Sequence, residues 1–266
     1  MNATTAAATR TTRQQPTMNP WRLEWLRMTR SARGITLIAV YVFFGFVGPL
    51  LAKYMAQIAK LSSSGVTIVA PPPRPADGIV NFVSQGSQTG MIVLTVVAAG
   101  VLSIDGRPGL ATFYRTRASG WFQLIWPRFV ATSAVALAAY VLGTAAAWFE
   151  TTLLLGALTP GPVLLGVALE AVFLLFAVAV VAAAATVGRS TLATAGISLG
   201  GLLVALPVAG IVKAIGGWLP TTLLTAPAAL VTGSAPGGYP KAVAVSVLST
   251  VALLALAAYR SRRREL

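Results

Sequence analysis

The chain has 266 residues, of which 56% are hydrophobic and 10% charged, and its mean hydropathy is +0.78. A water-soluble domain of this length carries roughly 25% charged residues, so the composition excludes a water-facing surface and fits a polytopic membrane protein. The formal charge of +14 would point to nucleic acid in a soluble protein, but here the cations lie between and beside apolar runs, and no nucleic-acid partner is expected.

Cysteine and histidine are both absent. That removes disulfides, thiolate metal sites and the commonest general base and metal ligand. The first eighteen residues are Ala/Thr-rich with two arginines, and they read as a disordered cytoplasmic tail. The first apolar run begins at Ile35, too late and too long for a signal peptide, so it is expected to be an uncleaved span.

Residues 19–33 follow, with the sequence NPWRLEWLRMTRSAR. Pro20 suits a first helical position. At 100° per residue, Trp21, Trp25, Met28 and Ala32 share one narrow face. Arg22, Arg27, Arg30 and Arg33 occupy the broad opposite side, with Leu23 and Leu26 among them. This pattern predicts an amphipathic helix in the membrane interface. As a plain anchor it needs only tryptophans and cations; two leucines on the charged side point to a partner surface.

A membrane-crossing helix needs about 20 mostly apolar residues. Six stretches between residues 34 and 260 qualify: Gly34–Ala52, Val83–Ile104, Phe129–Leu158, Val163–Val187, Thr191–Val212 and Ala242–Tyr259. Six spans place both termini on one side, and Lys and Arg favour the cytoplasm. With the N-terminus inside, fifteen basic residues are cytoplasmic and five are outside. The expectation is an all-α protein with both termini in the cytoplasm, multi-pass in the plasma (inner) membrane.

The second span carries Asn81, Ser84, Gln85 and Gln88 at helical spacing, with Thr95 further along. Such a stripe lines a wet pathway or hydrogen-bonds another helix. Between spans two and three, the segment 105–128 holds Asp105, Arg107, Leu110, Phe113, Tyr114, Arg115, Arg117 and Arg128. Pro108 and Gly120 can open and close a short helix there. Exposed aromatics beside arginines have the composition of a contact hot spot, whereas an ordinary basic loop would satisfy topology alone. Trp121, Phe122, Trp126 and Pro127 form an aromatic belt leading into the third span.

Glu150 and Glu170 are the carboxylates inside predicted spans. Intramembrane acids are functional candidates by default. At about 1.5 Å per residue, Glu150 falls near the outer interface and Glu170 about 10 Å below the outer surface, where the pair could be hydrated or mutually hydrogen-bonded. Pro207 is expected to kink the fifth span. The stretch 213–241 is apolar but broken by Pro220, Pro227, Pro236 and Pro240, which predicts short surface or re-entrant helices rather than a seventh span. Residues 261–266 form a basic cytoplasmic tail.

No catalytic constellation is present. A hydrolase triad lacks its histidine, Asp77 and Asp105 fall on opposite sides of the membrane, and no G-x-x-x-x-G-K-[ST] motif occurs. The chain is not expected to be an enzyme, and ATP would have to be bound by another chain.

The order of parts resembles the permease subunits of the type-2 ABC exporter family. The resemblance covers about residues 20 to 260. It is carried by the helix before span one, the six spans, and Asp105 with Gly106 or Gly109 followed by Leu110, Ala111 and Thr112. Pro127 and Arg128 entering span three and the Pro-rich stretch Trp218–Leu230 add to it; Asp105 stands where the family more often has Glu. The resemblance implies a dimer of this permease with a second copy or a homologous permease, and a separate ABC ATP-binding subunit that holds ATP and magnesium, with no cofactor on this chain. It implies ATPase docking on Trp21, Leu23, Leu26, Arg27, Arg30, Asp105, Arg107, Leu110, Phe113, Tyr114, Arg115 and Arg117, through a coupling helix in the segment 105–128. It also implies a translocation pathway, for which Asn81, Gln85, Gln88, Glu150 and Glu170 are the candidates. Lipid, polysaccharide, peptide and drug-like molecules are all handled within this family. The competing readings are a self-contained secondary transporter relying on Glu150 or Glu170, and an anchoring protein whose basic faces bind anionic membrane lipid.

Overall fold

The computed structural model describes residues 20–62, 72–103 and 121–263. Within these residues every regular element is helical, and six helices are long and apolar enough to cross a membrane: Ala32–Met55, Pro75–Leu102, Ile125–Leu154, Pro160–Ala185, Thr191–Gly210 and Pro236–Ser261. A multi-pass membrane protein is what this arrangement describes, because lipid tolerates only backbone whose polar groups are satisfied internally.

A short helix, α1 (Pro20–Thr29), precedes the first span. A bend at Arg30 and Ser31 separates it from the span helix, which starts at Ala32 and runs to Ser62. The face expected to lie in the membrane interface packs only partly against the protein. Met28 is inside, but Trp21 and Trp25 are about half exposed, and the buried neighbour of Met28 is Glu24. An acid one turn from Met28 is drawn inward by a cation on another helix, which a wheel of apolar residues cannot register.

The second span begins at Pro75, eight residues before the expected Val83. The Arg74 N–H donates to Asp77 Oδ2 at 2.7 Å, so Asp77 closes the helix N-terminus, where its charge also complements the macrodipole. The helix then passes through a π turn, Phe82–Ser87, before Gln88–Leu102. Its buried pairs fall at 78/79, 82/83, 86/87, 90/91, 94/95 and 98/99. That four-residue repeat would drift round a helix of 3.6 residues per turn; the wider π turn offsets part of the drift and keeps one side facing the bundle.

The third span helix extends from Trp121 to Leu154 with Pro127 inside it, so residues 121–128 of the expected coupling segment continue the span instead of leading up to it. It ends at Gly156, whose φ of +112° and N–H bond to Thr151 O (3.1 Å) make a left-handed stop of the kind glycine favours. Ser190 caps the fifth span by accepting from the Ala193 N–H at 3.1 Å. A second π turn, Gly200–Ala205, lies just upstream of Pro207, where the proline removes a donor and crowds the carbonyl four residues back. Between spans five and six come short helices Lys213–Gly216, Thr221–Leu224 and Ala226–Val231, and the sixth span opens on a 3₁₀ turn at Pro236–Gly238. Lys241 Nζ lies 5.0 Å from the centre of the Trp218 ring and ties this stretch to the start of the last span.

Spans one and three form the closest pair. A Cβ added to Gly45 would overlap the Gly143 carbonyl, and one on Gly143 would come 2.7 Å from the Tyr41 carbonyl. Ala146 and Ala147 continue this small-residue seam, which lets two helix backbones approach where lipid provides no hydrophobic drive. The fourth span is the hub, packing against spans two, three, five and six and against the short helices before span six. Spans five and six leave most of their surface uncovered.

Candidate functional site

Two polar assemblies stand out from the apolar packing. The first fastens α1 to the bundle. Glu24 Oε1 accepts from Arg128 Nε at 3.1 Å and from Arg27 Nη1 at 3.3 Å. The Glu24 and Arg128 side chains are only 6% and 5% exposed, so this is a desolvated pair, of the kind whose disruption strands a charge. At the start of the first span, Arg33 Nη1 donates to the Gly100 carbonyl near the end of span two, at 3.0 Å. Ser103, just past that end, meets Thr194 of span five at 2.9 Å. Thr194 already donates its own proton to Ser190 O, so Ser103 is the donor. Helix α1 and four spans are thereby joined at one end of the molecule by polar bonds.

The docking residues expected on α1 lie on its outer side. Trp21, Leu26, Arg27 and Arg30 are exposed and Leu23 is half-buried. Asp105, Arg107, Leu110, Phe113, Tyr114, Arg115 and Arg117 lie outside the described residues. Glu24 was absent from the expected set. Its signal was legible in part: one acid among the arginines of α1, and one arginine, Arg128, at the start of a predicted span.

The second assembly is inside the bundle. Glu170, on the fourth span, is fully buried. The hydroxyls of Ser87 and Tyr140 flank its carboxyl, yet neither they nor the carboxylate oxygens reach hydrogen-bond geometry with any partner. Tyr41 is within electrostatic reach of the same carboxyl, and its hydroxyl is likewise buried without a partner. The rings are held from several sides. Tyr41 and Tyr140 meet edge to face, with centroids 5.8 Å apart, and Phe82 stacks on Tyr140 at 6.3 Å. Gly90 gives Tyr41 its place, since a Cβ there would lie 2.8 Å from the tyrosine hydroxyl. The π turn in span two ends at Ser87 and aims it at Glu170.

Glu150 is half-buried near the end of span three, and no hydrogen bond or ion pair joins it to Glu170. The expected polar stripe is divided by the structure. Asn81 and Gln85 are half-buried, Ser84 and Gln88 are exposed, and Thr95 is fully inside, donating to the Met91 carbonyl at 2.8 Å. Tyr41, Tyr140 and Ser87 were missed, because two tyrosines within apolar runs read as packing residues until three helices bring them to one acid.

Chemically, the interior group offers oxygen ligands and one carboxyl, while the α1 foot offers a rigid link between a surface helix and the third span. Among the described residues no three His, Cys, Asp or Glu side chains gather. No family model, no curated protein and no solved structure matches this chain.

Proposed function

We propose that this chain is the membrane-spanning permease subunit of an ATP-driven exporter, acting as a dimer beside a separate ATP-binding subunit. In this reading both termini face the cytoplasm, and α1 and the segment around Phe113 and Tyr114 receive the ATPase. The observation that supports it most is the α1 foot. A motor outside the membrane can move spans only through stiff elements, and α1 is held to the third span by the buried Glu24–Arg128 pair while Trp21, Leu26, Arg27 and Arg30 face outward. Force applied to that outer face passes directly into the helix that packs most closely on span one. Exposed Ser84 and Gln88 on span two add support, since polar groups on the outside of a single membrane chain call for a second protein surface or a wet pathway.

The deciding experiment is recovery of the tagged protein from its native membrane in mild detergent, with identification of stoichiometric partners. A co-purifying ATPase, lost on Phe113→Ala with Tyr114→Ala while membrane insertion is retained, supports the reading. Normal co-purification of that double variant removes the docking assignment. A single species that transports alone replaces the motor with the second reading, a self-contained secondary transporter, which the buried carboxyl of Glu170 favours.

A further inference from the structure

Four buried side chains gather in the interior: Glu170, the Ser87 and Tyr140 hydroxyls that flank its carboxyl, and Tyr41, within electrostatic reach of it; their five oxygens make no well-aligned hydrogen bond. Each of these residues is at most 1% exposed. Buried polar groups are normally hydrogen-bonded, and leaving even one unpaired is costly. A buried carboxyl with three hydroxyl-bearing neighbours, drawn from spans one, two, three and four, is a pattern that apolar packing alone does not explain. The four side chains are also held where they are. Tyr41 is wedged over Gly90, which lies one helical turn from Ser87, and Tyr140 is clasped between Tyr41 and Phe82. No ion pair engages Glu170 among the described residues.

We propose that this cluster is a binding site for one desolvated alkali-metal cation, sodium or potassium, with Glu170 supplying the charge and Ser87, Tyr41 and Tyr140 the neutral oxygens. The donor set selects the class. All ligands are hard oxygens, which suit hard cations and not the soft metals that take thiolate or imidazole. A single carboxylate balances a single positive charge, whereas calcium sites draw on several carboxylates and six to eight oxygens. Because the ligands come from four spans, the cation ties together the helices that form the centre of the bundle. Binding only to the folded protein, it stabilises that protein in proportion to its occupancy. The site requires no ATPase and is independent of the exporter reading.

The test uses the full-length protein in detergent at fixed pH and constant ionic strength, with choline chloride replaced stepwise by sodium chloride or potassium chloride. Thermal unfolding and equilibrium dialysis with radioactive sodium or rubidium are read together. The expected result is saturable binding of one ion per chain and a rise of several degrees in Tm, both lost in Glu170→Gln. Tyr140→Phe and Ser87→Ala should each weaken the affinity, by about tenfold if a single ligand contributes about 1.4 kcal/mol. Should Glu170→Gln fail to fold, the wild-type isotope binding and the other two variants decide the matter. Equal Tm in choline, sodium and potassium with no bound ion overturns the proposal, as does binding that survives unchanged in Glu170→Gln or in both milder variants. Stability that follows pH but ignores the cation at fixed pH also overturns it, in favour of a proton alone.

Discussion

Arg128 and Glu24, 104 positions apart in the chain, meet at 3.1 Å in a contact almost closed to solvent. The pair joins the helix before the first span to the start of the third, and it fixes where the outer face of α1 points.

Removing one member of this pair should be far more damaging than its distance from the bundle centre implies. Glu24→Ala leaves the Arg128 guanidinium without its buried carboxylate, and loss of one partner of a buried pair costs about 3–5 kcal/mol. Arg74→Ala, which deletes an exposed pair with Asp77 at 3.8 Å, should cost less than about 1 kcal/mol. Thermal unfolding of the two variants in the same detergent makes the comparison, and similar Tm values would remove the structural weight placed on Glu24.

The seam between spans one and three predicts a sharp contrast among glycines. Gly143→Ala places a methyl group 2.7 Å from the Tyr41 carbonyl, and overpacking of this kind costs about 1–3 kcal/mol or more. Gly196→Ala, on the fifth span with nothing within 4 Å, should be neutral or stabilising by up to about 1 kcal/mol through helix propensity alone. Yield of folded protein after size exclusion and Tm together report both effects.

The Ser103–Thr194 bond joins the ends of spans two and five. Ser103→Ala removes the donor but leaves Thr194 bonded to Ser190 O, so the expected loss is about 1 kcal/mol. Thr194→Val deletes both bonds and leaves the Ser103 hydroxyl buried without its partner, and the loss should be clearly larger. Equal Tm values for the two variants would show that the contact between spans carries little.

Orientation can be read directly, because the chain has no cysteine. Thr29→Cys, exposed on α1, and Ser234→Cys, exposed before the sixth span, each provide a single reactive thiol. With both termini in the cytoplasm, an impermeant maleimide labels Cys at 234 on intact cells and reaches 29 only after permeabilisation. The reverse pattern would invert the topology.

The number and approximate extents of the spans were legible because about twenty apolar residues in a row have few other uses. The sites were less legible, for different reasons. Glu170 announced itself as an acid in an apolar run, but Tyr41 and Tyr140 are amphipathic rings that sit equally well in a core, and only assembly of three helices around the fourth gives their hydroxyls a common target. The Glu24–Arg128 pair was hidden by sequence separation. The second span starts upstream of its apolar run, because Asp77 serves there as the helix's cap, a role that hydropathy does not register.

The π turn at Phe82–Ser87 makes the second span a helix with one residue to spare. Deleting a residue there, for example Gly86, lets the turn close as an ordinary α-helix while the helix on either side keeps its facing, because the π turn spends one residue more on the same rotation. Phe82 can then stay on Tyr140 and Ser87 beside Glu170. The same deletion in a regular stretch of the span turns one flank by about 100° against the other, so this turn is where the second span can best lose a residue, and deletion of Gly86 should cost less Tm than deletion of Val93.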